Sequence, residues 1–228
     1  MAAGVRLEGK VAIVTGASRG TGAVIARRLV ADGARVVLGD VVDERGRALA
    51  HELGANAVYH RLDVTSENDW GQGVALALDL FGRLDALVNN ASLLVAATLE
   101  DTVPHDFKRV LDVNLFGPFL GMRAVAETLR HAGGGSIVNI AAREALEGAN
   151  GVAAYASSKW GLRGLSKCAA LELGKFGVRV NTICTGADDR SPEEVAARVA
   201  FLLSDDSIGI TGADIAVDGS YASGRSTS

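Results

Sequence analysis

Short apolar runs alternate with amphipathic segments along almost the whole of this chain of 228 residues. Runs rich in Val, Ile and Leu predict β-strands at residues 10–15, 35–40, 58–62, 84–88, 136–140, 178–184 and 213–217. Helical periodicity predicts helices at about 23–31, 43–53, 67–81, 104–131 (one helix or two) and 151–174, and a last helix from about 191. Strands that are apolar along their length and alternate with helices are typical of a parallel sheet. We therefore expect an α/β fold, a doubly wound parallel sheet with helices on both faces, whose ligands bind at the carboxyl ends of the strands.

The composition is typical of one globular domain. Apolar residues make up 48% of the chain and charged residues 22%, which excludes a disordered protein. No linker or internal repeat interrupts the alternating pattern, and the length suits one large core. We expect one domain over residues 1–228, ending in a flexible Ser/Gly tail at about 221–228.

Charge and terminal pattern argue against several kinds of partner. The net charge is −4, and no run of Lys or Arg reaches the length of a nucleic-acid-binding motif. The first residues lack a signal-peptide pattern, and no apolar run approaches a membrane-spanning length. Cys168 and Cys184 are expected to be free thiols, and the four histidines lack metal-ligand spacing. These features predict a cytoplasmic protein that binds no nucleic acid, membrane or metal.

A glycine-rich turn, Gly16-Ala-Ser-Arg-Gly20-Thr-Gly22, links the first predicted strand to the first predicted helix. Glycines permit a tight turn and let a pyrophosphate approach the helix N-terminus, where free N–H groups carry partial positive charge. The alternative is a glycine turn that serves only packing. Its position between a first strand and a helix favours a dinucleotide site.

Two acidic residues end the second and third predicted strands. Asp40 lies about twenty residues after the glycine turn, where a carboxylate bonds the adenosine ribose hydroxyls. Such a carboxylate repels a 2′-phosphate and favours NAD over NADP, whereas Arg19 in the turn weakly favours NADP. Asp63 suits either a hydrogen bond to the adenine amine or the capping of the next helix, and both roles stay open.

Tyr155 and Lys159 lie four positions apart in an alanine-rich segment that is predicted to be helical. Positions i and i+4 share one face of a helix, so the phenol and the ammonium point the same way. A nearby cation favours tyrosinate and lowers the pKa of the phenol, which suits a proton donor and acceptor near neutral pH. Such pairs also occur by chance on solvated helix faces, so a catalytic role requires a cofactor site that faces the pair.

Taken together, these segments resemble the short-chain dehydrogenase/reductase family over nearly the whole chain. The resemblance rests on the glycine turn with Thr15 before it, on Asp63-Val64, on Asn89-Asn90-Ala91, on Asn114, and on the Tyr155 and Lys159 pair. The segments 40–44, 62–65 and 155–166 are most similar to the bacterial 3α(20β)-hydroxysteroid dehydrogenase branch of that family.

The resemblance implies a Rossmann fold, a nicotinamide cofactor, and a homotetramer or dimer built through two long helices. It implies that Tyr155 is the general acid/base, that Lys159 holds the nicotinamide ribose and lowers the pKa of Tyr155, and that Asn114 positions a water. With the residues above, it gives an expected NAD site of Gly16, Ser18, Arg19, Gly20, Thr21, Gly22, Asp40, Asp63, Val64, Asn90, Ala91, Tyr155, Lys159, Thr185 and Gly186.

The sequence departs from the family pattern in three places. The catalytic serine of the family is expected about thirteen residues before the tyrosine, where this chain has Ala142, and Ala141 offers no hydroxyl either. Removing one such hydrogen-bond donor costs roughly 10²–10³ in kcat. The family's Pro-Gly after the sixth strand is Thr185-Gly186 here. The Ser191-Pro192-Glu193-Glu194 segment then reads as a helix start, which leaves no room for the family's substrate lid.

Two hypotheses of different classes follow. The first is an NAD(H)-dependent oxidoreductase that acts on a small-molecule secondary alcohol or ketone, with Tyr155 as acid/base. The second is a protein that keeps the fold but has impaired or lost redox activity, and serves as a cofactor-binding scaffold or in elimination or cyclisation chemistry. Ala142 and the short loop after Gly186 favour the second hypothesis, whereas the paired Tyr155 and Lys159 favour the first.

Overall fold

One parallel sheet organises the chain. Its strands are Val11–Thr15 (β1), Arg35–Asp40 (β2), Ala57–Arg61 (β3), Ala86–Asn89 (β4), Gly135–Ala142 (β5), Val178–Thr185 (β6) and Asp214–Val217 (β7). The seven strands lie in the order β3-β2-β1-β4-β5-β6-β7, and every neighbouring pair is parallel. The structure is a computed structural model that describes residues 6–186 and 192–217. The predicted doubly wound sheet is confirmed, and its strand order reverses between β1 and β4, where a crevice is expected.

Helices cover both faces of the sheet. They are Gly20–Ala31 (α1), Asp43–Leu53 (α2), Glu67–Phe81 (α3), Pro104–Leu111 (α4), Gly117–His131 (α5), Ala153–Gly174 (α6) and Pro192–Leu203 (α7). One apolar core contains residues of α1, α2 and α7, and a second contains residues of α3, α5 and α6. In the part of the chain that the structure describes, none of these helices has both the length and the apolar character needed to cross a membrane.

Alternation along the strands supplies both cores from the same segments. In β1, Ile13 faces the core of α3, α5 and α6, whereas its neighbour Val14 faces the core of α1, α2 and α7. Successive side chains of a strand point to opposite faces, so a strand covered on both sides is apolar at every position. This is why the strands could be read from continuous apolar runs.

The largest differences from the predicted elements lie near the crevice. Helix α1 begins at Gly20, inside the predicted glycine turn and not after it. The stretch predicted as one helix or two at 104–131 divides into α4 and α5, joined by a π-helical turn at Asp112–Phe116. The predicted tail at 221–228 and the predicted helix cap at Ser191 lie outside the described residues.

Candidate active site

A cavity of about 660 Å³ opens at the carboxyl edge of the sheet, beside the reversal of strand order. The predicted cofactor residues along its wall are Gly16, Arg19, Gly20, Thr21, Gly22, Asp40, Asp63, Val64, Asn90, Ala91, Tyr155, Lys159, Thr185 and Gly186. Two predicted residues, Ser18 and Asn114, lie behind the wall and contact residues that form it. The topology therefore gathers segments that are far apart in sequence into one site.

The glycine turn is held at close quarters by the residues that follow β4. The Asn90 side-chain amide donates to the Thr15 carbonyl at 2.9 Å and to the Gly16 carbonyl at 3.2 Å. A Cβ at Gly16 would lie 2.8 Å from the Ala91 Cα, and a Cβ at Gly22 would collide with the Gly16 carbonyl oxygen. Gly16 and Gly22 are thus required for the close packing of the turn.

The start of α1 is suited to an anion. Its first residue, Gly20, has a positive φ of 53° and open space where a Cβ would stand. The preceding residue, Arg19, gives no side-chain cap, and the first turn carries no acidic residue. Uncapped N–H groups at a helix N-terminus attract phosphate, so this end of the cavity fits the pyrophosphate of a dinucleotide.

Asp40 ends β2 at the cavity wall with its carboxylate fixed on both oxygens. One oxygen accepts from the Ser18 backbone N–H at 3.0 Å and from the Ser18 hydroxyl at 2.7 Å. The other oxygen accepts from the Val42 N–H at 3.0 Å. Ser18 therefore orients Asp40 from behind the wall, and the negative charge stays at the edge of the cavity.

Asp63 and Val64 follow β3 at the same edge. Oδ1 of Asp63 accepts from both the N–H and the hydroxyl of Thr65, which closes a local turn. The N-cap of α3 is Ser66, whose hydroxyl accepts from the Asp69 N–H, so Asp63 is not the capping residue. Val64 is buried, and its carbonyl accepts from the Trp70 indole at 2.9 Å.

Tyr155 and Lys159 share one face of α6, and that face lines the cavity. The Lys159 ammonium is buried, lies 5.4 Å from the centroid of the Tyr155 ring, and donates to the Ile140 carbonyl at 3.0 Å. Burial lowers the pKa of Lys159 to about 8. Burial also raises the pKa of Tyr155, with a further increase from Glu144, while hydrogen bonding with the Ser92 side chain lowers it. The net direction for Tyr155 is opposite to the sequence prediction because desolvation of the phenolate is the largest effect.

Asn114 lies in the π-helical turn between α4 and α5 and is fully buried. Its Oδ1 accepts from the Leu93 N–H at 2.7 Å, and its Nδ2 donates to the Leu93 carbonyl at 2.8 Å and to the Ser158 hydroxyl at 3.0 Å. The extra residue of a π-helical turn re-aims the side chains of a helix and is frequent at functional sites. Here it lets Asn114 join the segment after β4 to α6.

The carboxyl end of β5, at the cavity, carries two alanines and no serine. Ala141 lines the cavity, and Ala142 is buried beside it, paired in register with Thr185 of β6. The Thr185 hydroxyl donates to the Ala141 carbonyl at 3.3 Å, and the Gly186 N–H donates to the Val217 carbonyl at 3.1 Å. The Thr-Gly pair is thus tied to both neighbouring strands.

Several residues of the wall were not among the predicted site residues. They are Val41, Val42, Leu62, Ser92, Leu93, Arg109, Val113, Ile140 and Val195. Four of them directly adjoin a predicted position, and adjacency to Asp40, Asp63, Ala91 or Asn114 was the signal that could have found Val41, Leu62, Ser92 and Val113. No comparable sequence signal marks Arg109 or Val195, which reach the cavity from α4 and α7.

Comparison with known proteins agrees with this geometry. The family model described as short chain dehydrogenase matches residues 10–193. A 3-alpha-(or 20-beta)-hydroxysteroid dehydrogenase of Mycobacterium tuberculosis is 44% identical, over 96% of this chain and 92% of its own length. A trans-4-hydroxycyclohexanecarboxylate dehydrogenase of Sinomonas cyclohexanicum is 37% identical, over 96% of this chain and 95% of its own length.

A solved structure gives the same result at the level of the fold. The crystal structure of a short chain dehydrogenase from Mycobacterium smegmatis matches with a TM-score of 0.87 at 35% identity, covering 93% of this chain and 92% of that chain. The resemblance inferred from the sequence is confirmed, including its likeness to hydroxysteroid dehydrogenases. The chain belongs to the short-chain dehydrogenase/reductase family.

Proposed function

We propose that the protein is an NAD(H)-dependent oxidoreductase that interconverts a secondary alcohol and a ketone. The observation that carries this proposal is the single cavity in which Tyr155 and Lys159 face the uncapped N-terminus of α1. A proton donor and acceptor at one end of the cavity, and an anion site at the other, match the two requirements of nicotinamide-linked oxidation.

Different residues of the cavity bind the cofactor and transfer the proton. When bound, the nicotinamide supplies the acceptor or donor of the hydride. In alcohol oxidation Tyr155, as tyrosinate, takes the hydroxyl proton of the substrate, and in ketone reduction it returns that proton to the carbonyl oxygen. Lys159 holds positive charge beside the phenol, and Asn114 keeps the segment after β4 in place against α6.

Asp40 supports the choice of NAD over NADP. Its carboxylate is fixed at the cavity edge by Ser18 and Val42, so it cannot turn away from a 2′-phosphate without losing hydrogen bonds. Arg19 also lines the cavity and is exposed, but a flexible cation is a weaker determinant than a fixed carboxylate that must be desolvated beside a phosphate.

The names of the two curated relatives support an alicyclic substrate. One name places the reacting hydroxyl on a steroid and the other on a cyclohexane ring. We therefore propose a cyclic secondary alcohol, or the corresponding ketone, as the substrate class.

A turnover assay tests the function. Purified protein is incubated with NAD⁺ and a panel of cyclic alcohols, or with NADH and the matching ketones, and NADH absorbance is followed. We expect turnover that disappears in Tyr155→Phe. If no substrate in either direction reacts faster than with Tyr155→Phe, the proposal fails.

A second candidate function rests on Ala141 and Ala142, which leave β5 without the family's hydroxyl. In that case the protein would bind NAD(H) without hydride transfer, as a scaffold or in acid/base chemistry such as elimination. Calorimetry separates the two candidates, because NAD binding without any turnover favours the second and rapid hydride transfer excludes it.

Three further expectations belong to the same proposal. Phe116 in the π-helical turn, Phe119 on α5 and Trp160 on α6 are exposed, and an apolar groove is lined by Phe119 and Leu165. This surface supports a homodimer or homotetramer, which light scattering would measure and Phe119→Glu would weaken.

The seven strands of the described residues form one sheet, which supports one domain. Both cysteines are free thiols, which is compatible with the reducing cytoplasm.

A further inference from the structure

β5 offers no hydroxyl at Ala142, but other residues of the cavity wall carry one. Apart from Tyr155, the described residues of the wall with a hydroxyl are Thr21, Ser92 and Thr185. Thr21 lies in the first turn of α1, at the anion end, and Thr185 donates its hydroxyl to the Ala141 carbonyl. Ser92 is the remaining hydroxyl of this set, and it lines the same cavity as Tyr155.

Ser92 is held between two fixed residues. On one side, the Ala91 N–H donates to the Thr15 hydroxyl at 3.1 Å. On the other, the N–H and carbonyl of Leu93 both bond the Asn114 side chain, at 2.7 and 2.8 Å. A side chain whose two neighbours are anchored to β1 and to the π-helical turn keeps a defined direction, as a preorganised donor requires.

The same segment is anchored again further along the chain. The Ala97 N–H donates to the Gly151 carbonyl at 2.9 Å, and Ala97 forms an isolated parallel bridge with Val152. Val152 directly precedes α6, the helix that carries Tyr155. The segment after β4 is therefore fixed to the start of α6 at Ala97, in addition to its anchors on either side of Ser92.

We propose that the Ser92 hydroxyl donates a hydrogen bond to the Tyr155 phenol oxygen and serves as the second hydroxyl of this site, in place of the one absent at Ala142. The proposal rests on the proposed function, because it gives Tyr155 a proton-transfer role. Ser92 neither gains nor loses a proton. It stabilises the tyrosinate that accepts the proton of the alcohol hydroxyl. The hydride leaves the carbon that bears this hydroxyl and is transferred to the nicotinamide.

The groups that face Tyr155 act in different directions. Hydrogen bonding with Ser92 lowers the pKa of the phenol, whereas burial and the Glu144 carboxylate raise it. Lys159 lies beneath the ring, and Glu144 and Cys184 both raise the pKa of this lysine against the larger effect of burial. Ser92 thus lowers the pKa of the phenol through a hydrogen bond, and removing it leaves the increase from burial and Glu144 without this compensation.

A tyrosinate titration of the protein without cofactor or substrate tests the contact directly. The chain has three tyrosines. Tyr155→Phe identifies the Tyr155 component of the near-ultraviolet titration curve by difference. We expect Ser92→Ala to raise the Tyr155 midpoint by about one pH unit, the shift typical of one hydrogen bond to a charged group. Ser92→Thr, which keeps the hydroxyl, should retain the wild-type midpoint, and so should Ser157→Ala, which removes an exposed hydroxyl from α6.

Kinetics provide the second measurement. For alcohol oxidation, we expect Ser92→Ala to lower kcat/KM about 10-fold at neutral pH and to move the acidic limb of the pH profile up by about one unit. Adding Ala142→Ser to Ser92→Ala should recover activity. In the wild-type background, Ala142→Ser should raise kcat by less than the roughly 10²–10³-fold that is expected where a site has no such hydroxyl.

An unchanged Tyr155 midpoint in Ser92→Ala would overturn the proposal, as would an unchanged pH profile. Failure of the proposed function would look different. A protein that turns over no substrate, but whose Tyr155 midpoint still rises in Ser92→Ala, has the Ser92 contact without the redox reaction, and the catalytic part of the proposal is then overturned.

Discussion

Lys159 places its ammonium 5.4 Å from the centroid of the Tyr155 ring, and this residue is only 2% exposed. Its donation to the Ile140 carbonyl satisfies only one of its N–H groups. Burial therefore lowers the pKa of Lys159 to about 8, which brings its loss of charge close to neutral pH. The charge beside the Tyr155 phenol and the stability of the fold are consequently linked through one proton.

The first prediction concerns stability against pH. The ordinary pKa of lysine is 10.5, and the folded value is about 8. Below the folded pKa, Lys159 is charged in both states. Between the two values the unfolded chain binds more protons at this residue than the folded chain, so its contribution to the free energy of unfolding rises with pH, by about 3 kcal/mol in total.

Urea denaturation of wild-type protein and Lys159→Met across this pH range measures the effect. The contributions of the other titrating groups cancel in the difference between the two free energies of unfolding. From about pH 8 upward, this difference should change steadily in favour of the wild type. Parallel curves for the two proteins would show that Lys159 keeps its ordinary pKa.

The second prediction concerns Tyr155→Phe. Removing the phenol hydroxyl removes the proposed proton acceptor, and general acid–base catalysis contributes roughly 10²–10⁴ to the rate. We expect kcat to fall within that range while the Kd for NAD, measured by calorimetry, changes less than about threefold. Tyr59→Phe is the matched control, since the Tyr59 hydroxyl bonds the Asp40 carbonyl and the Asp43 carboxylate and lies outside the cavity. Similar kcat values for the two variants would contradict the role of Tyr155.

The topology and most of the cavity wall could be predicted from sequence for a simple physical reason. A strand buried on both faces, such as β2, must be apolar at nearly every position, so its limits at Arg35 and Asp40 are visible in the sequence. Parallel strands bring their carboxyl ends to one edge, so Asp40, Asp63 and Asn90 were expected to line one cavity before any distance was known.

The electrostatics of the site could not be predicted in this way. The spacing of Tyr155 and Lys159 gives their common face, but desolvation depends on how completely neighbouring segments cover them. The approach of Ser92 to Tyr155 likewise depends on the path of an irregular segment that Asn114 and Ala97 fix by long-range bonds. The π-helical turn carrying Asn114 has no proline or glycine within it to mark it in the sequence.

The third prediction concerns cofactor choice. Asp40→Asn removes the negative charge and keeps the size of the side chain that Ser18 orients. We expect the Kd for NADP to fall about tenfold or more and the Kd for NAD to rise, because the repulsion of a 2′-phosphate is lost together with a charged acceptor for the ribose. Asp63→Asn neutralises a carboxylate on the same cavity and should leave the ratio of the two Kd values almost unchanged. Equal ratios in wild type and Asp40→Asn would contradict the proposal.

The fourth prediction concerns Asn114→Ala. The substitution leaves both backbone groups of Leu93 without their side-chain partner, which costs about 1–3 kcal/mol of stability, and it releases the segment after β4. We expect kcat to fall at least about tenfold. Asn181→Ala is the control, since Asn181 is equally buried and bonds the backbone at Ile210 and Ala213. Asn181→Ala should lose similar stability in urea denaturation while its kcat stays nearly unchanged. If both variants lost kcat equally, the effect of Asn114→Ala would be structural only.

The fifth prediction concerns the packing of the glycine turn. A Cβ at Gly22 would meet both the Gly16 carbonyl and the Asn90 amide, so Gly22→Ala must displace the turn or the residues after β4. Overpacking of this kind costs about 1–3 kcal/mol, and displacing the start of α1 should raise the Kd for NAD. Gly164→Ala adds the same methyl group to α6 where nothing lies within 4 Å, and should stabilise the protein by about 1 kcal/mol at unchanged affinity. Thermal denaturation and calorimetry on the two variants test this contrast, and a Gly22→Ala protein as stable and as tightly binding as wild type would show that the turn tolerates a side chain.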